Sequence, residues 1–565
     1  MMATNSDRKW NGMLLALGAM ALPAVLTTGC LGGPLSEDGD GDAHWEFIDP
    51  WWEDECAGMG SSSSGSSGFG APSVAAEAAR AIGEADIIKI EDDLIYALSD
   101  QAGLTIIEAS NPDALAVLDS AQTIGEAFEM YVRDGTVYAM STTDYSGATV
   151  IQALDASDPG DILPSGNLTL PGEVSDSRII GQLLYVVTFD PDPEGSWSGT
   201  PVTYVTSLSI AEPNQLTQVD QLAFPADDPH DFGWKRSVYA TDDRMYVAGV
   251  EWDNQENDGH STIQVVDISD PTGLLVEGAL VEPAGQIYSR WQMSERDGVL
   301  RVISQPGIFN DADVPKVETF TVQSSAEVTP LGFIEMELPM PESLRSVRFD
   351  GTIAYVITAA LSEPWDPSPK PPPPSMFAGD PLFVIDLTDP AHPVQRGELE
   401  IPGWVYHMEV RGSRLLALGF DGNNPEGMIN VSLFDVSNLD APSMIERVSF
   451  GGQYSGVEED QNRIHKAFSI FDDEGIIVVP FSDVEEHTDS DPCWGSSTWY
   501  EEFGAMQLIQ FDDNSLTKRG KARMSTQIRR ARLHQGRLLG LSNFELRVFD
   551  ITELGVPKDT NGVWF

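Results

Sequence analysis

The chain has 565 residues and a formal net charge of −57, because 89 aspartates and glutamates outnumber 32 lysines and arginines. This charge argues against DNA or RNA as the main partner, since neutralising phosphates requires a net basic surface. The 13 tryptophans, 23 phenylalanines and 13 tyrosines exclude wholesale disorder, because such a chain can bury a large apolar core.

Residues 1–29 are predicted to form an export signal of the lipoprotein type. Arg8 and Lys9 precede an apolar stretch at 13–26 that is too short to anchor the chain in a bilayer. The stretch ends in LTTGC, which resembles a bacterial lipobox, so lipidation of Cys30 is expected, with plain secretion as the alternative. Leu31 implies, by resemblance to such lipoproteins, sorting to the outer membrane, with the cell surface and the periplasm as alternatives.

Residues 30–75 are predicted to be a tether, acidic at first and then rich in glycine and serine. Four of its aspartates are spaced like positions 1, 3, 5 and 12 of a calcium loop: Asp38, Asp40, Asp42 and Asp49. Ala43 stands where that loop needs glycine, so a solvated acidic spacer is the alternative. Cys56 and Cys493 form an even pair if Cys30 is lipidated, which predicts a disulfide or, alternatively, two separate thiols.

Residues 76–565 are predicted to be one all-β domain, because one pattern recurs along them. The pattern is DPLFVIDLTDPAHPVQRGELEIPG from Asp380, and related copies begin at Gly147, Ser261 and Met428. Its apolar run at 382–385 is typical of a strand covered on both faces, and Asp389 with Pro390 predicts the turn that ends it. Such units bury their faces by stacking around an axis, so we predict a single β-propeller of four-stranded blades.

Nine units open with a strand, a tight turn and a second strand. They begin at Glu84, Ala127, Ser175, Lys235, Ile287, Ser343, Val405, Arg463 and Ile528. The turn prolines Pro112, Pro159, Pro213 and Pro271 lie 47, 54 and 58 residues apart, which is the spacing of four-stranded blades. The ninth unit has three clear strands, so the sequence predicts nine blades with a short last one, or eight if the terminal segments merge.

Two long insertions interrupt this array, at 363–377 and at 482–503. The first is rich in proline, and the second is rich in acids and aromatics. Insertions in a propeller gather on one face, so that face is a candidate binding surface.

Several segments of the chain carry a family resemblance. In order they read GEADIIKIEDDLIYAL, SDSRIIGQLLYVVTF, SVRFDGTIAYVIT, the Asp380 pattern, NVSLFDVSN, HKAF and IRRARL. Together they resemble the family of secreted bacterial proteins with a C-terminal β-propeller domain that is distantly related to WD40 repeats. The resemblance runs from about Gly83 to Ile551, and it implies a propeller fold and export without an assigned reaction.

Basic residues recur near the starts of seven predicted first strands. They are Arg178, Arg236, Arg290, Arg345, His407, Lys466 and Arg530. First strands line the channel of a propeller, so these residues predict a basic ring that could bind a carboxylate or a phosphate. The alternative is that they pair with aspartates in the channel and fill space.

Two acidic loops are candidate sites for calcium or another divalent ion, the one cofactor the sequence points to. The candidate ligands are Asp227, His230 and Asp231 in one loop, and Glu486, His487 and Asp489 in the other. Acidic loops are common in a chain of this composition, so solvated loops are the alternative.

The sequence contains no GxSxG, HExxH, phosphate-loop or CxxC motif, so no catalytic residue stands out. We therefore expect an exported, lipid-anchored, non-enzymatic binding or scaffold protein that presents its loops to a protein, peptide or glycan at the cell envelope. One alternative is an extracytoplasmic hydrolase or lyase acting at the channel mouth, and another is an anion- or metal-binding surface protein. We expect a monomer.

Overall fold

The computed structural model describes residues 84–143, 147–193, 200–226, 237–253, 258–305, 314–338, 342–360, 380–421, 424–452, 454–457, 463–491 and 495–565. These residues form nine four-stranded sheets, each an antiparallel meander in chain order, which we number as blades 1 to 9. The predicted all-β propeller fold is confirmed, and its blade number is nine.

The first three blades contain twelve strands. Blade 1 has β1 (Ile88–Glu91), β2 (Leu94–Ser99), β3 (Gly103–Glu108) and β4 (Ala116–Ala121). Blade 2 has β5 (Glu126–Arg133), β6 (Thr136–Thr142), β7 (Thr149–Asp155) and β8 (Leu163–Leu170). Blade 3 has β9 (Glu173–Ile180), β10 (Leu183–Asp190), β11 (Val202–Ser209) and β12 (Thr217–Pro225).

The next three blades repeat this arrangement. Blade 4 has β13 (Ser237–Ala240), β14 (Arg244–Asp253), β15 (Asp258–Asp267) and β16 (Val276–Val281). Blade 5 has β17 (Met293–Arg296), β18 (Val299–Ser304), β19 (Lys316–Ser324) and β20 (Glu327–Glu335). Blade 6 has β21 (Glu342–Asp350), β22 (Ile353–Ala360), β23 (Asp380–Asp386) and β24 (Val394–Ile401).

The last three blades include the longest strands. Blade 7 has β25 (Trp404–Arg411), β26 (Arg414–Phe420), β27 (Ile429–Asp435) and β28 (Ser443–Phe450). Blade 8 has β29 (Ser469–Phe471), β30 (Ile476–Asp491), β31 (Gly495–Asp512) and β32 (Ser515–Met524). Blade 9 has β33 (Arg530–His534), β34 (Arg537–Leu541), β35 (Glu545–Asp550) and β36 (Lys558–Trp564).

Among the residues that the structure describes, helical structure is confined to single turns. They are an α-helix at Ile464–Ala467 and 3₁₀ turns at Pro112–Ala114, Pro213–Gln215 and Arg290–Gln292. Within the described ranges, no helix has the length and apolar character needed to cross a membrane.

The core consists of nine apolar clusters, one between each pair of adjacent blades. The third strand of blade 6 explains why its sequence is continuously apolar. Phe383 and Ile385 pack toward blade 5, whereas Leu382 and Val384 pack toward blade 7. Because successive side chains of a strand point to opposite faces, an unbroken apolar run buries both faces, as predicted.

The ring closes between blade 9 and blade 1. Leu539 and Leu546 of blade 9 share a buried cluster with Ile95 and Ile107 of blade 1. Both blades are built from consecutive strands, so the terminal segments do not merge into one blade. The prediction of a short last blade was wrong, because β36 completes it by backbone pairing with β35.

The turn after the third strand follows the predicted chemistry. The Ala391 N–H donates to Asp389 Oδ1 at 3.1 Å, which is the expected bond to the backbone two residues on. Aspartates that end third strands make the same kind of bond: Asp155, Asp267, Asp386, Asp435 and Asp550.

Several predicted features lie outside the described residues. They are the proposed boundaries at 29/30 and 75/76, Cys30, the aspartates Asp38 to Asp49, Cys56, Cys493 and the insertion at 363–377.

Tyrosines of second strands connect adjacent blades, and one of them provides a test of these contacts. Tyr138 Oη in β6 donates to the Ile210 carbonyl beyond β11 at 3.0 Å, and both groups are buried. We expect Tyr138→Phe to lower the free energy of unfolding by about 1 kcal/mol, because the carbonyl would lose a buried donor. Urea titrations measure this. Tyr500→Phe is the control, because Tyr500 is 60% exposed; equal effects of the two changes would contradict the prediction.

Candidate functional site

The first strand of each blade lies at the inner edge of the ring. Ion pairs join the inner segments of blades that are not adjacent in sequence, such as Lys466 to Glu129 and Arg178 to Glu84. Fourth strands lie at the rim, where Ala116–Ala121 and Leu163–Leu170 are largely exposed. Side chains of the inner segments therefore fill the central channel.

The predicted ring residues occupy different positions in these inner segments. Arg178, Arg345, His407 and Arg530 lie in first strands, whereas Arg290 and Lys466 lie in helical turns just before them, and Arg236 falls outside the described residues. Arg178 is two residues from the end of its strand, but His407 and Arg530 are four residues from theirs. The six described residues therefore do not form a level ring.

Glu84 lies at the centre of the channel. Its Oε1 is 3.0 Å from Arg290 Nη2 and 3.4 Å from Arg178 Nη2, and its Oε2 is 3.8 Å from His465 Nε2. These partners belong to blade 3, to the turn before blade 5 and to the helix before blade 8. The segment that precedes β1 must therefore enter the channel, where the backbone of Asp86 also bridges that of Met130.

The pKa values of Glu84 and Asp176, the two carboxylates that contact Arg178, are shifted in opposite directions. Burial would raise the pKa of Glu84, but the Arg178 and Arg290 charges hold it well below its usual value. Burial raises the pKa of Asp176 to about 6, although Arg178 contacts this carboxylate directly. Glu84 is therefore the firmly charged member of the pair.

A second group of ion pairs surrounds Asp86. Arg530 Nε lies 2.7 Å from Asp86 Oδ1, Arg532 contacts Oδ2, and Lys466 contacts Glu129. Burial would raise the pKa of Asp86, but Arg530 and Arg532 keep it below its usual value. We name as the channel network the five cations Arg178, Arg290, Lys466, Arg530 and Arg532 and the four carboxylates Glu84, Asp86, Glu129 and Asp176.

The channel network is thus formally positive in a chain whose net charge is −57. All five of its cations are already paired with carboxylates. The sequence left such pairing open as the alternative to ligand binding. A further anion could bind where the N–H groups of a network cation are not fully used by its carboxylate partners. Binding of a ligand to the predicted ring stays a prediction.

Trp291 forms an aromatic centre beside Glu84. The Arg290 and Arg348 guanidinium carbons lie 4.8 and 4.7 Å from its ring centroid. His407 and His465 approach it edge-on, with centroids at 5.6 and 5.2 Å. Two arginines and two histidines therefore surround the Trp291 indole in the channel.

The two histidines differ in their hydrogen bonds. His407 Nε2 lies 2.9 Å from Glu409 Oε1, whereas neither ring nitrogen of His465 has a hydrogen-bond partner among the described residues. Burial lowers the pKa of His407, and it lowers that of His465 to about 4. Both imidazoles are therefore neutral at pH 7.

The sequence interpretation missed several of these residues. Trp291 directly follows the predicted Arg290, and His465 lies within the HKAF motif. Acid and base alternate two residues apart in Asp176–Ser177–Arg178, and this local pattern was a usable signal for ion pairs. Glu84 had no such signal, because its partners come from distant blades.

The insertion at 482–503 was predicted to be a loop, but the structure forms it as a β-hairpin. We name residues 483–503 the arm. Strands β30 and β31 pair from Ile476↔Gln510 to Asp491↔Gly495. The acidic and aromatic composition suggested a loop, but the arm continues strand pairs that already exist inside blade 8.

On the arm, the candidate metal ligands that lie together differ from those predicted, and His487 is the shared one. Glu485, His487 and Glu501 offer ligand atoms within 4.8 Å of one another. Glu486 lies on the other face because strand residues alternate, and the side chain of Asp489 is outside the described residues, as are Asp227, His230 and Asp231. Arg523 contacts Glu485 and lies 3.7 Å from Glu501, so a cation already offsets one of the two carboxylate charges of this cluster.

Comparisons with known proteins agree with the fold. The family model described as "Beta propeller domain" matches residues 78–225, 195–365 and 377–554. An uncharacterised protein of Archaeoglobus fulgidus is 27% identical over 35% of this chain and 26% of its own length. One of Methanocaldococcus jannaschii is 29% identical over 29% of this chain and 23% of its own length. The matches thus span about a quarter of these relatives.

Two solved structures match this chain at low sequence identity and with low TM-scores. Kluyveromyces lactis Hsv2 is 10% identical, with a TM-score of 0.35, over 65% of this chain and 99% of its own. The periplasmic gluconolactonase of Pseudomonas aeruginosa is 11% identical, with a TM-score of 0.33, over 67% of this chain and 96% of its own.

Proposed function

The chain belongs to the Beta propeller domain family, and on this premise we propose that it is a non-enzymatic binding protein that docks a protein partner on the arm. It is exported and held at the cell envelope by a lipid on Cys30, and the propeller acts as a rigid platform for the arm. The observation that carries the proposal is the unpaired, aromatic-bearing end of the longest hairpin in the described part of the fold.

Both edges of the arm lack a third strand within the described residues. Strand β32 pairs with β31 only from Gly504 onward, and β29 pairs with β30 only at 476–478. The arm therefore extends about 25 Å with no further strand beside it in the described part of the chain. An unpaired edge of this kind supports docking by strand addition from a partner protein.

The side chains of the arm favour a protein over a glycan. Trp499 and Tyr500 are 45% and 60% exposed, and as neighbours in one strand they point to opposite faces. Trp499 also stacks on His487 with a centroid distance of 4.2 Å. The two rings thus form no shared platform for a sugar, but each face offers an apolar contact to a partner that lies across the arm.

Charge adds a preference for a cationic partner. Glu485, Glu486 and Glu501 are exposed on the arm. Carboxylates around an apolar contact attract a basic partner surface and repel acidic ones, including other copies of this chain. A monomer in the absence of its partner is consistent with this charge.

The first test of the proposal maps the partner in the native host. A photo-crosslinking amino acid replaces Tyr500, and the control site is Val394, which is 48% exposed on blade 6. We expect a discrete protein adduct from position 500 and none from position 394, identified by mass spectrometry. Equal labelling at both sites, or a glycan adduct, would refute protein docking on the arm.

The second test removes the arm from the full chain. Asp483 pairs with Phe503, so an Asn-Gly turn can replace residues 484–502 and close the hairpin. The buried side chains of Phe481 and Phe503 are retained, so the urea unfolding curve should be unchanged. Affinity for the identified partner should fall roughly 100-fold, because the arm holds the exposed aromatic anchors. An unchanged affinity would place docking elsewhere.

A further inference from the structure

Glu84 fits loosely between its three partners. Its closest contact is 3.0 Å, to Arg290, and the distances to Arg178 and His465 are 3.4 and 3.8 Å. Close guanidinium–carboxylate pairs are about 2.7–2.9 Å apart. In the same channel Asp86 reaches that closeness, at 2.7 Å from Arg530. Two of the three partners of Glu84 are therefore farther away than in a close ion pair, and we name Arg178, Arg290 and His465 the carboxylate cradle.

His465 supplies the second, independent observation. Its side chain is 9% exposed, and within the described residues neither ring nitrogen has a hydrogen-bond partner. A buried polar group without a partner costs about 1–3 kcal/mol, so such groups are rare unless something satisfies them. Its Nε2 faces Glu84 at 3.8 Å, which is beyond hydrogen-bond length.

Trp291 provides an apolar wall next to this cradle. The guanidinium groups of Arg290 and Arg348 lie over its ring. The His465 ring approaches it edge-on, with a centroid distance of 5.2 Å. The Arg290 and Arg348 side chains keep 12% and 19% of their surface exposed, so solvent reaches this level of the channel. A ligand with one carboxylate and a small apolar body matches these donors and this wall.

We propose that Arg178, Arg290, His465 and Trp291 form a binding site for a small organic carboxylate. Glu84 occupies the carboxylate position of this site when no ligand is bound, and the ligand takes its place. The site is separate from the arm, so it goes beyond the proposed docking function and does not depend on it.

The main test compares the full-length chain with its Glu84→Gln variant. Calorimetric titrations use formate, acetate and benzoate, with chloride at equal ionic strength as the reference anion. Glu84 places a like charge at the position of the ligand carboxylate, so its neutralisation should tighten carboxylate binding at least about tenfold. Adding Trp291→Leu to this variant should remove any preference for benzoate over formate.

Matched controls separate this site from other effects. Asp113→Asn neutralises an exposed carboxylate that pairs with Arg537, and it should leave all affinities unchanged. The variant with the shortened arm should bind carboxylates as the wild type does. Binding of carboxylates by Glu84→Gln that is no tighter than in the wild type, or no tighter than that of chloride, would overturn the proposal.

A second measurement leaves Glu84 in place, in case its replacement weakens the fold. Saturation-transfer NMR detects formate bound weakly to the wild type, and the same spectrum is recorded for His465→Leu, whose side chain has no hydrogen-bond donor. We expect the transfer to fall at least about fivefold in the variant, because His465 supplies the free donor of the cradle. Equal transfer in both proteins would overturn the role of His465 and with it the site.

Discussion

Replacing Arg530 with methionine is expected to lower the free energy of unfolding by about 3–5 kcal/mol. Arg530 has no exposed surface, and its Nε lies 2.7 Å from Asp86, which is itself 2% exposed. Removing the guanidinium leaves a buried carboxylate whose remaining close cation is Arg532. Breaking a buried pair on one side is costly because the other charge stays desolvated. Urea titrations of the full chain measure the change.

Two further variants distinguish this mechanism from a general loss of packing. Arg530→Met combined with Asp86→Asn should recover part of the loss, because the buried carboxylate that lost its closest cation is then also removed. Arg396→Met breaks a pair with Asp440 in which the two side chains are 33% and 63% exposed, and it should cost less than about 1 kcal/mol. A loss at Arg530 no larger than at Arg396 would contradict the prediction.

The fold was predictable because each repeat unit has a recognisable local sequence pattern. The apolar run at 382–385 and the turn at Asp389 require a strand buried on both faces, and nine copies require a ring. The fourth strand of blade 9 was not predictable, since KDTNGVW has no apolar alternation. Backbone pairing to β35, rather than side-chain burial, forms that strand.

The channel was predictable in part. Arg178 and Arg530 were assigned to first strands from the repeat alone, and first strands line the channel. Their carboxylate partners could not be predicted. Glu84 and Asp86 precede the first strand and contact residues up to 446 positions away in sequence. The number of blades and the way the ring closes decide which blades face each other across the channel. Local sequence patterns determine neither of these. Trp291 and His465 lie in helical turns, where strand alternation gives no guidance.

Replacing His465 with glutamine is expected to flatten the dependence of stability on pH between about 6.5 and 4. Burial lowers the pKa of His465 to about 4 in the fold, with the charge of Arg290 acting in the same direction and Glu84 acting against both. The unfolded chain, with a histidine pKa near 6.5, binds this proton first. The stability that neutral His465 contributes is therefore complete above pH 6.5 and is lost as the pH falls toward 4.

The size of this effect follows from the separation of the two pKa values. The loss reaches about 3 kcal/mol by pH 4 in the wild type, and glutamine, which does not titrate, avoids it. Asp176, with a pKa raised to about 6 by burial, titrates in the same range with the opposite sign. The difference between variant and wild type isolates His465, because both proteins keep Asp176. Urea titrations at pH 7, 6, 5 and 4 measure that difference.

The control for this series is an exposed histidine. His392→Gln, at a side chain that is 82% exposed, should give the wild-type curve at every pH. In contrast, the stability of His465→Gln relative to the wild type should rise steadily as the pH is lowered. Parallel curves for His465→Gln and the wild type would mean that the fold does not lower the pKa of this imidazole, and the prediction would then be wrong.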